Sequence, residues 1–313
     1  MKNILLTGVA GFVGSRLAKY FINKGYSVVG IDNLKTGYID NVPSEVIFIN
    51  ADCAELATYK SSELRGMNFD IIIHIAGQSS GEISFDDPCQ DLSDNCLSTL
   101  RLLEFAQSIS CKKFIFASSM SVYGEVSEDY INENHSTKPL SMYAVGKLAS
   151  ENYLRIFEDY NIDSVSLRLF NIYGPGQNMS NFRQGMASIY LSQAINNGKI
   201  EVKGRSDRFR DLVFIDDVVW VIDQFIEQGF TGSEIYNVCT GIKTKVADLV
   251  NVIKNSLGNE DLPVSYIEGT PGDQFGIVGD NSKLKSFIDE IEFIGVEEGI
   301  SKFVSSIEIP PIK

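Results

Sequence analysis

The sequence predicts a doubly wound α/β fold, a parallel sheet with helices on both faces, joined to a smaller C-terminal α+β domain. Three observations carry this. Over the first 170 residues, short apolar runs typical of strands buried on both faces alternate with stretches of helical periodicity. The first run, Ile4-Leu5-Leu6, passes directly into a glycine-spaced turn, Thr7-Gly-Val-Ala-Gly-Phe-Val-Gly14, and then into a helix. After Asn171 the texture changes: Gly174-Pro175-Gly176 breaks the chain, and shorter mixed elements follow.

Each element has its own signal. Val13, Leu17, Tyr20 and Phe21 give residues 12–22 an apolar helix face, with Gly25 where a C-terminal cap belongs. Residues 27–31 and 46–49 read as the second and third strands. Residues 69–75 form the fourth, closing in Ala76-Gly77, small residues that admit a ligand close to the backbone. A helix is expected over 94–108, a fifth strand over 113–117 running into Ser118-Ser119, a helix over 143–159 and a sixth strand over 164–169. Further on, 186–196 reads as a helix, 200–202 as a strand, and 212–215 as a strand leading into a helix over 218–228. The run 235–238 can return to the main sheet, and 262–313 mixes short strands and helices. No repeat, low-complexity tract or tether interrupts the chain. The expected domains are therefore interleaved: 1–172 with 210–240, and 173–209 with 241–313.

Composition narrows the function. A chain of 313 residues fits one large domain plus a smaller one, and 44% hydrophobic with 22% charged residues is ordinary for a soluble globular protein. The net charge of −14 leaves no basic excess to displace counterions, so neither nucleic acid nor an anionic membrane is an expected partner. Five scattered cysteines without a CxxC pair suggest neither a disulfide framework nor a zinc site, and two distant histidines suggest no metal site. No apolar run approaches the roughly 18 residues of a membrane span. No cationic leader precedes the first strand. A reduced, cytoplasmic protein is expected.

The chemistry begins at the opening turn. Gly8 permits backbone angles barred to other residues, Gly11 lets the backbone approach a pyrophosphate, and Gly14 lets helix and strand pack closely. A diphosphate would rest on the open N–H groups of the helix start. Asp32, at the end of the second strand, is placed to accept hydrogen bonds from an adenosine ribose and to repel a 2′-phosphate, which favours NAD over NADP. Asp32-Asn33 would also suit a plain turn; its position decides for the ribose. Tyr143-Ala-Val-Gly-Lys147 sets a phenol and an ammonium on one helix face. A neighbouring cation is expected to bring the phenol down toward the range of a useful base. Ser118 and Ser119, at a strand end where open α/β sheets bind ligands, can hold a substrate oxygen.

With these motifs, the chain resembles the extended short-chain dehydrogenase/reductases, in the sugar-nucleotide epimerase/dehydratase branch typified by UDP-glucose 4-epimerase. The resemblance runs nearly end to end. It includes TGVAGFVG at 7–14, IDNL at Asp32, Asp52, HIAG at 74–77, Asn95, SSMSVYG at 118–124 and YAVGK at 143–147. It continues through RLFNIYGPGQ at 168–177, Arg210-Asp211 and Pro271-Gly272-Asp273. It implies a Rossmann sheet, NAD as cofactor, and a nucleotide-diphosphate sugar as substrate. By position, Gly8, Gly11, Phe12, Val13 and Gly14 would hold the NAD diphosphate, Asp32 and Asn33 the adenosine ribose, and Asp52 the adenine. Ala76, Gln78, Asn95 and Phe170 would complete the cofactor site. Lys147 would bind the nicotinamide ribose and acidify Tyr143, and Ser119 aligns with the catalytic Ser/Thr. Asn171, Asn181 and Arg210 would grip the substrate diphosphate. The resemblance also implies a homodimer through the helices at 95–108 and 143–158.

Three departures qualify the resemblance. Dehydratases of the family carry Thr-Asp-Glu where this chain has Ser119-Met120-Ser121, which disfavours elimination of water. The family's Arg before Pro-Gly-Asp is Thr270 here; Arg183, Arg205 or Arg208 is the expected replacement. A bulky Tyr of some hexose-specific members is Ile277. The leading expectation is epimerisation at C4 of a UDP-glucose/UDP-galactose-type sugar through a 4-keto intermediate. The alternative is an NAD(P)H-dependent reductase of an NDP-4-keto-6-deoxysugar, and a non-catalytic dinucleotide-binding protein is the third reading.

Overall fold

The order of the main sheet follows from where each buried run can find a partner. In the computed structural model, which describes residues 1–127, 130–183, 185–269 and 275–307, the chain opens with β1 (Asn3–Thr7), α1 (Phe12–Asn23), β2 (Ser27–Asp32) and β3 (Ile47–Asn50). A single turn α2 (Leu56–Tyr59) precedes β4 (Ile71–His74). Then α3 (Pro88–Leu92) passes through a π turn (Ser93–Leu97) into α4 (Ser98–Ser108), followed by β5 (Lys113–Ser119), α5 (Met142–Phe157) and β6 (Asp163–Leu169). The chain continues through β7 (Asn171–Tyr173), α6 (Met186–Asn197), β8 (Ile200–Lys203), β9 (Phe209–Arg210), β10 (Leu212–Phe214) and α7 (Ile215–Gln228). It ends with β11 (Ser233–Val238), β12 (Thr244–Lys245), α8 (Val246–Ser256), β13 (Val264–Ile267), α9 (Ser282–Phe287) and α10 (Val296–Ser305).

Seven strands form one sheet in the order β11-β6-β5-β4-β1-β2-β3. β1 pairs in parallel with β2 on one side and with β4 on the other. The order reverses between β1 and β4, so their carboxyl ends flank the crevice where doubly wound sheets bind ligands. Leu5, Ile72, Phe114 and Phe116 from the strands pack with Leu102, Leu103 and Ala106 of α4 in a core shut off from solvent. The run 235–238 does return to the sheet, as its edge strand β11.

One element begins earlier than its periodicity predicts. The helix expected from 94 starts at Pro88, because Asp87 caps it by accepting from the Gln90 amide at 3.0 Å and proline occupies its first position. The polar stretch 88–95 hides this start from any search for apolar spacing.

The chain divides into two compact units. The first comprises 1–124, 136–168 and 219–236, the second 125–135, 169–218 and 237–313. Compared with the expected boundaries, four segments change sides: 125–135, 169–172, 210–218 and 237–240. Residues 125–135 join the second unit because Ile131 bridges Gly279 and its carbonyl accepts from Asn237 Nδ2 at 2.8 Å. Residues 210–218 and 169–172 join it because β10 pairs with β7.

In the first unit a buried ion pair fixes α5 to β6. Arg168 donates through Nε and Nη2 to the two oxygens of Glu151 at 2.9 and 2.7 Å, and the Ser118 hydroxyl donates to the same carboxylate at 2.5 Å. Ser118 is thus part of the scaffold. Removing either member of the pair would leave an uncompensated buried charge, at a cost of about 3–5 kcal/mol.

Beneath the glycine turn, His74 Nδ1 and Thr7 Oγ1 are hydrogen-bonded at 2.7 Å, and its Nε2 is 3.1 Å from Thr99 Oγ1. Burial, reinforced by the charge of Lys147, pushes its pKa down to about 3. The imidazole is neutral in the fold, whereas the unfolded chain takes up a proton near the ordinary value of about 6.5. Its contribution to stability is therefore present above that value and lost as pH falls through the window toward about 3. In urea unfolding followed from about pH 7.5 to pH 4.5, His74→Gln loses less stability on acidification than wild type. An equal loss in both proteins would refute this assignment.

Candidate active site

Two glycines of the turn, Gly8 and Gly14, are closed tightly against their neighbours. Gly8 lies at φ +74°, and a Cβ there would stand 2.8 Å from the Ala76 backbone nitrogen. A Cβ on Gly14 would fall 2.0 Å from the Gly8 carbonyl oxygen, so α1 packs against β1 only with glycine at this position. The Gly11 amide is spent on that same carbonyl at 3.1 Å. α1 starts on Gly11 without a side-chain cap, which leaves its first-turn N–H groups, those of Phe12, Val13 and Gly14, without a side-chain acceptor and suited to an anion.

Asp32 ties this turn to the end of β2. Its carboxylate accepts from the Ala10 amide at 3.0 Å and from the Leu34 amide at 2.8 Å, which leaves lone pairs on both oxygens for a ribose. Asn33 donates to Asp52 at 2.8 Å, and Asp52 also accepts from the Ala54 amide at 2.8 Å. The following loop folds back over the turn: the Tyr38 amide and Asn41 Nδ2 both donate to the Ala10 carbonyl. Lys35 pairs with Asp94 at 2.9 Å.

At the nicotinamide end expected from the sequence, α5 begins on Ser141, whose hydroxyl accepts from the Ala144 amide at 3.2 Å. Tyr143 and Lys147 project from its first turns and are both buried. The Lys147 ammonium sits 4.9 Å from the centroid of Phe116 and 5.8 Å from that of Tyr143. A Cβ on Gly77, at φ +148°, would lie 2.5 Å from Asn95 Oδ1 and 3.4 Å from Lys147 Nζ. Asn95 donates through Nδ2 to the Gln78 carbonyl at 2.9 Å and to Asp91 at 3.2 Å, while its buried Oδ1 has no partner among the described residues. Gln78 is taken up by the backbone of Ser80 and by Asp91. The Ser119 hydroxyl donates to Ser121 Oγ at 3.1 Å and accepts from the Ser121 amide at 3.2 Å.

The expected acidification of Tyr143 by Lys147 is not what the surroundings of the phenol favour. Burial pushes the phenol up to about 12, the Ser119 hydroxyl works against that rise, and Asp91 adds to it. The ammonium lies beside the aromatic ring and no hydrogen bond joins it to the phenol oxygen, so desolvation wins. Lys147 itself is pulled down to about 8 by burial, with Asp91 pushing the other way.

The second unit carries the remaining candidates. Asn171, on β7, donates to the Asp211 carbonyl at 3.0 Å. Arg210 is buried on β9 and donates to the Phe209 carbonyl at 2.8 Å; burial and the charge of Arg208 bring its pKa down to about 10. Asn181 accepts from the Arg183 amide at 3.0 Å, shaping a loop from which Arg183 is exposed. Among the candidate replacements for the family arginine, Arg205 is paired bidentately with Asp207, and buried Arg208 donates to the carbonyls of Lys203 and Arg205. Phe170 is buried, its amide bonded to Val238. Thr270 and Pro271-Gly272-Asp273 lie outside the described residues. Ile277 is buried.

Two features escaped the reading of the sequence. The Glu151–Arg168 pair had no signal, because charges 17 residues apart on different elements show no spacing. Asp91 could have been found, since it stands one helical turn before Asn95 in Asp-x-x-x-Asn. Among the described residues no group of three His, Cys, Asp or Glu could hold a metal ion, and no helix is long and apolar enough to cross a membrane.

Cradles that a Cβ would fill, an uncapped helix start and an unpartnered carboxamide oxygen beside Lys147 fit a dinucleotide. Comparisons agree. The model of the NAD dependent epimerase/dehydratase family matches residues 4–239. The UDP-glucose 4-epimerase of Mycolicibacterium smegmatis is 31% identical over 315 residues, covering 96% of each chain. The Thermotoga maritima UDP-glucose 4-epimerase, solved with UDP-glucose, superposes with a TM-score of 0.91 at 30% identity, covering 97% of this chain and 98% of that one. The Thermus thermophilus UDP-glucose 4-epimerase, solved with NAD, gives 0.88 at 29% identity over 97% and 98%. The chain belongs to the NAD-dependent epimerase/dehydratase family of the extended short-chain dehydrogenase/reductases, and its cofactor is NAD.

Proposed function

We propose that the protein interconverts C4 epimers of a UDP-sugar of the glucose/galactose type. The observation that carries this reading is the buried set Ser119, Tyr143 and Lys147, with Lys147 close against Gly77. Gly8, Gly11, Phe12, Val13 and Gly14 hold the NAD diphosphate. Asp32 and Asn33 hold the adenosine ribose, and Asp52 the adenine. Ala76, Gln78, Asn95 and Phe170 complete the cofactor site, and Lys147 donates to the nicotinamide ribose. Asn171, Asn181, Arg183 and Arg210 hold the nucleotide diphosphate of the substrate, a role suited to arginine's fixed fork of donors.

Tyr143, as phenolate, takes the proton of the C4 hydroxyl as the C4 hydride departs, leaving a 4-ketone. When hydride returns to the opposite face, Tyr143 gives the proton back. Ser119 donates to the C4 oxygen and holds it beside the phenol. NAD, when bound, supplies the acceptor and donor of that hydride and a positive ring that favours the phenolate. Ser119 and Ser121 are bonded to one another, and neither Met120 nor Ser121 offers the acid and base that dehydration would need.

Tyr143→Phe is expected to lower kcat for UDP-galactose by about 10²–10⁴-fold while NAD stays bound, read by coupled assay and by absorbance of the purified protein. Full turnover in that variant would sink the mechanism. Stoichiometric oxidation of NADH by a 4-keto sugar, with no C4 epimerisation, would identify the reductase instead. Arg210→Ala should raise KM for the UDP-sugar by about 10- to 100-fold with NAD content unchanged, as expected for a lost charge-assisted contact. Exposed Leu97 at the end of the π turn and Met142, Val145 and Ile156 on α5 favour a homodimer through the helices at 95–108 and 143–158. Sedimentation should show a dimer that Val145→Glu with Ile156→Glu converts to monomer; a monomeric wild type would overturn it.

A further inference from the structure

Asp91 is a buried acid that the catalytic scheme above does not use. Its Oδ1 accepts from Gln78 Nε2 at 2.9 Å and Asn95 Nδ2 at 3.2 Å. Its Oδ2 is buried with no hydrogen-bond partner among the described residues, and so is Oδ1 of Asn95 one turn later. Leaving a carboxylate oxygen dry and unpartnered is costly unless a cation lies within reach of its field. Lys147 is that cation: Asn95, which donates to Asp91 at 3.2 Å, borders with its Oδ1 the same Gly77 cradle as Lys147 Nζ, the two atoms lying 2.5 and 3.4 Å from a Cβ placed there. The helix bearing Asp91 then opens into the π turn at Ser93–Leu97, which carries Asn95, and such turns concentrate at functional sites.

α3 packs against the π turn, α5 and the turn at Ile83–Phe85, the last of which carries no titratable group. The π turn contributes Asp94, a like charge already paired with Lys35. α5 contributes Lys147 and Tyr143. Beyond Lys147 lies His74 of β4, which is neutral; the two side chains share Phe116, at 4.9 and 5.7 Å from its ring centroid.

We propose that Asp91 is a positioning residue whose carboxylate keeps Lys147 an ammonium in its dry pocket and sets the carboxamide of Asn95 beside it. This rests on the reading of Lys147 as a residue that holds the cofactor. Burial favours the neutral amine of Lys147, and the negative charge of Asp91 opposes that loss. The same charge disfavours the Tyr143 phenolate. Deleting it should therefore lower the pH at which each group gives up its proton.

Asp91→Asn deletes the charge and keeps an oxygen to accept from Gln78 and Asn95. In the NAD-bound protein, the tyrosinate absorbance of Tyr143, isolated by difference against Tyr143→Phe, should begin about one pH unit lower in Asp91→Asn than in wild type. The alkaline limb of kcat should also move down by about one unit, with KM for the UDP-sugar within about twofold of wild type. Asp91→Glu, which keeps the charge, should retain the wild-type limb. An unchanged Tyr143 titration and an unchanged limb in Asp91→Asn would reduce Asp91 to a hydrogen-bond acceptor and overturn the proposal. If no UDP-sugar turns over, the functional reading fails, and the tyrosinate titration still decides the role of Asp91. Should Asp91→Asn not fold, Asp91→Ser carries the same deletion and is read in the same way.

Discussion

The close approach of three backbone segments at the carboxyl ends of β1 and β4 is the constraint on which the rest depends. Gly8 stands against Ala76 and its carbonyl against Gly14, with no space for a side chain at either glycine. This contact sets where α1 begins, and so where its open N–H groups point. The turn is then tied from two sides, by the Asp32 carboxylate on the Ala10 amide and by Tyr38 and Asn41 on the Ala10 carbonyl. A diphosphate cradle of this kind depends on excluded volume first and on charge second.

The same tight packing sets the electrostatics around α5. Lys147, Tyr143 and His74 are all held in positions with little water, and desolvation shifts each toward its neutral form. A dry environment also strengthens every charge placed within it. Asp91, behind Asn95, is the anion placed to act on Lys147 there. The Glu151–Arg168 pair is a contrasting case: both its charges are buried, but they satisfy one another bidentately and serve to hold α5 on the sheet.

The glycine turn, the strand-ending Asp32 and the Tyr143–Lys147 spacing were legible in the sequence, because each depends on residues near one another in the chain. The start of α3 at Pro88 was readable only from its Asp-Pro cap, since residues 88–95 carry no apolar stripe. Unit boundaries were less legible. Whether 125–135 belongs with the first or the second unit depends on Ile131 meeting Gly279, some 150 residues later.

By itself the sequence determined the class of the fold, the dinucleotide turn and the pairing of a phenol with an ammonium on one helix face. These follow from local steric rules and helical periodicity, which act over a few residues. Only the tertiary structure decided the electrostatic surroundings of that pair. The pKa of Tyr143 depends on how much water surrounds it and on Asp91, a group 52 positions away in the chain, and local spacing encodes neither.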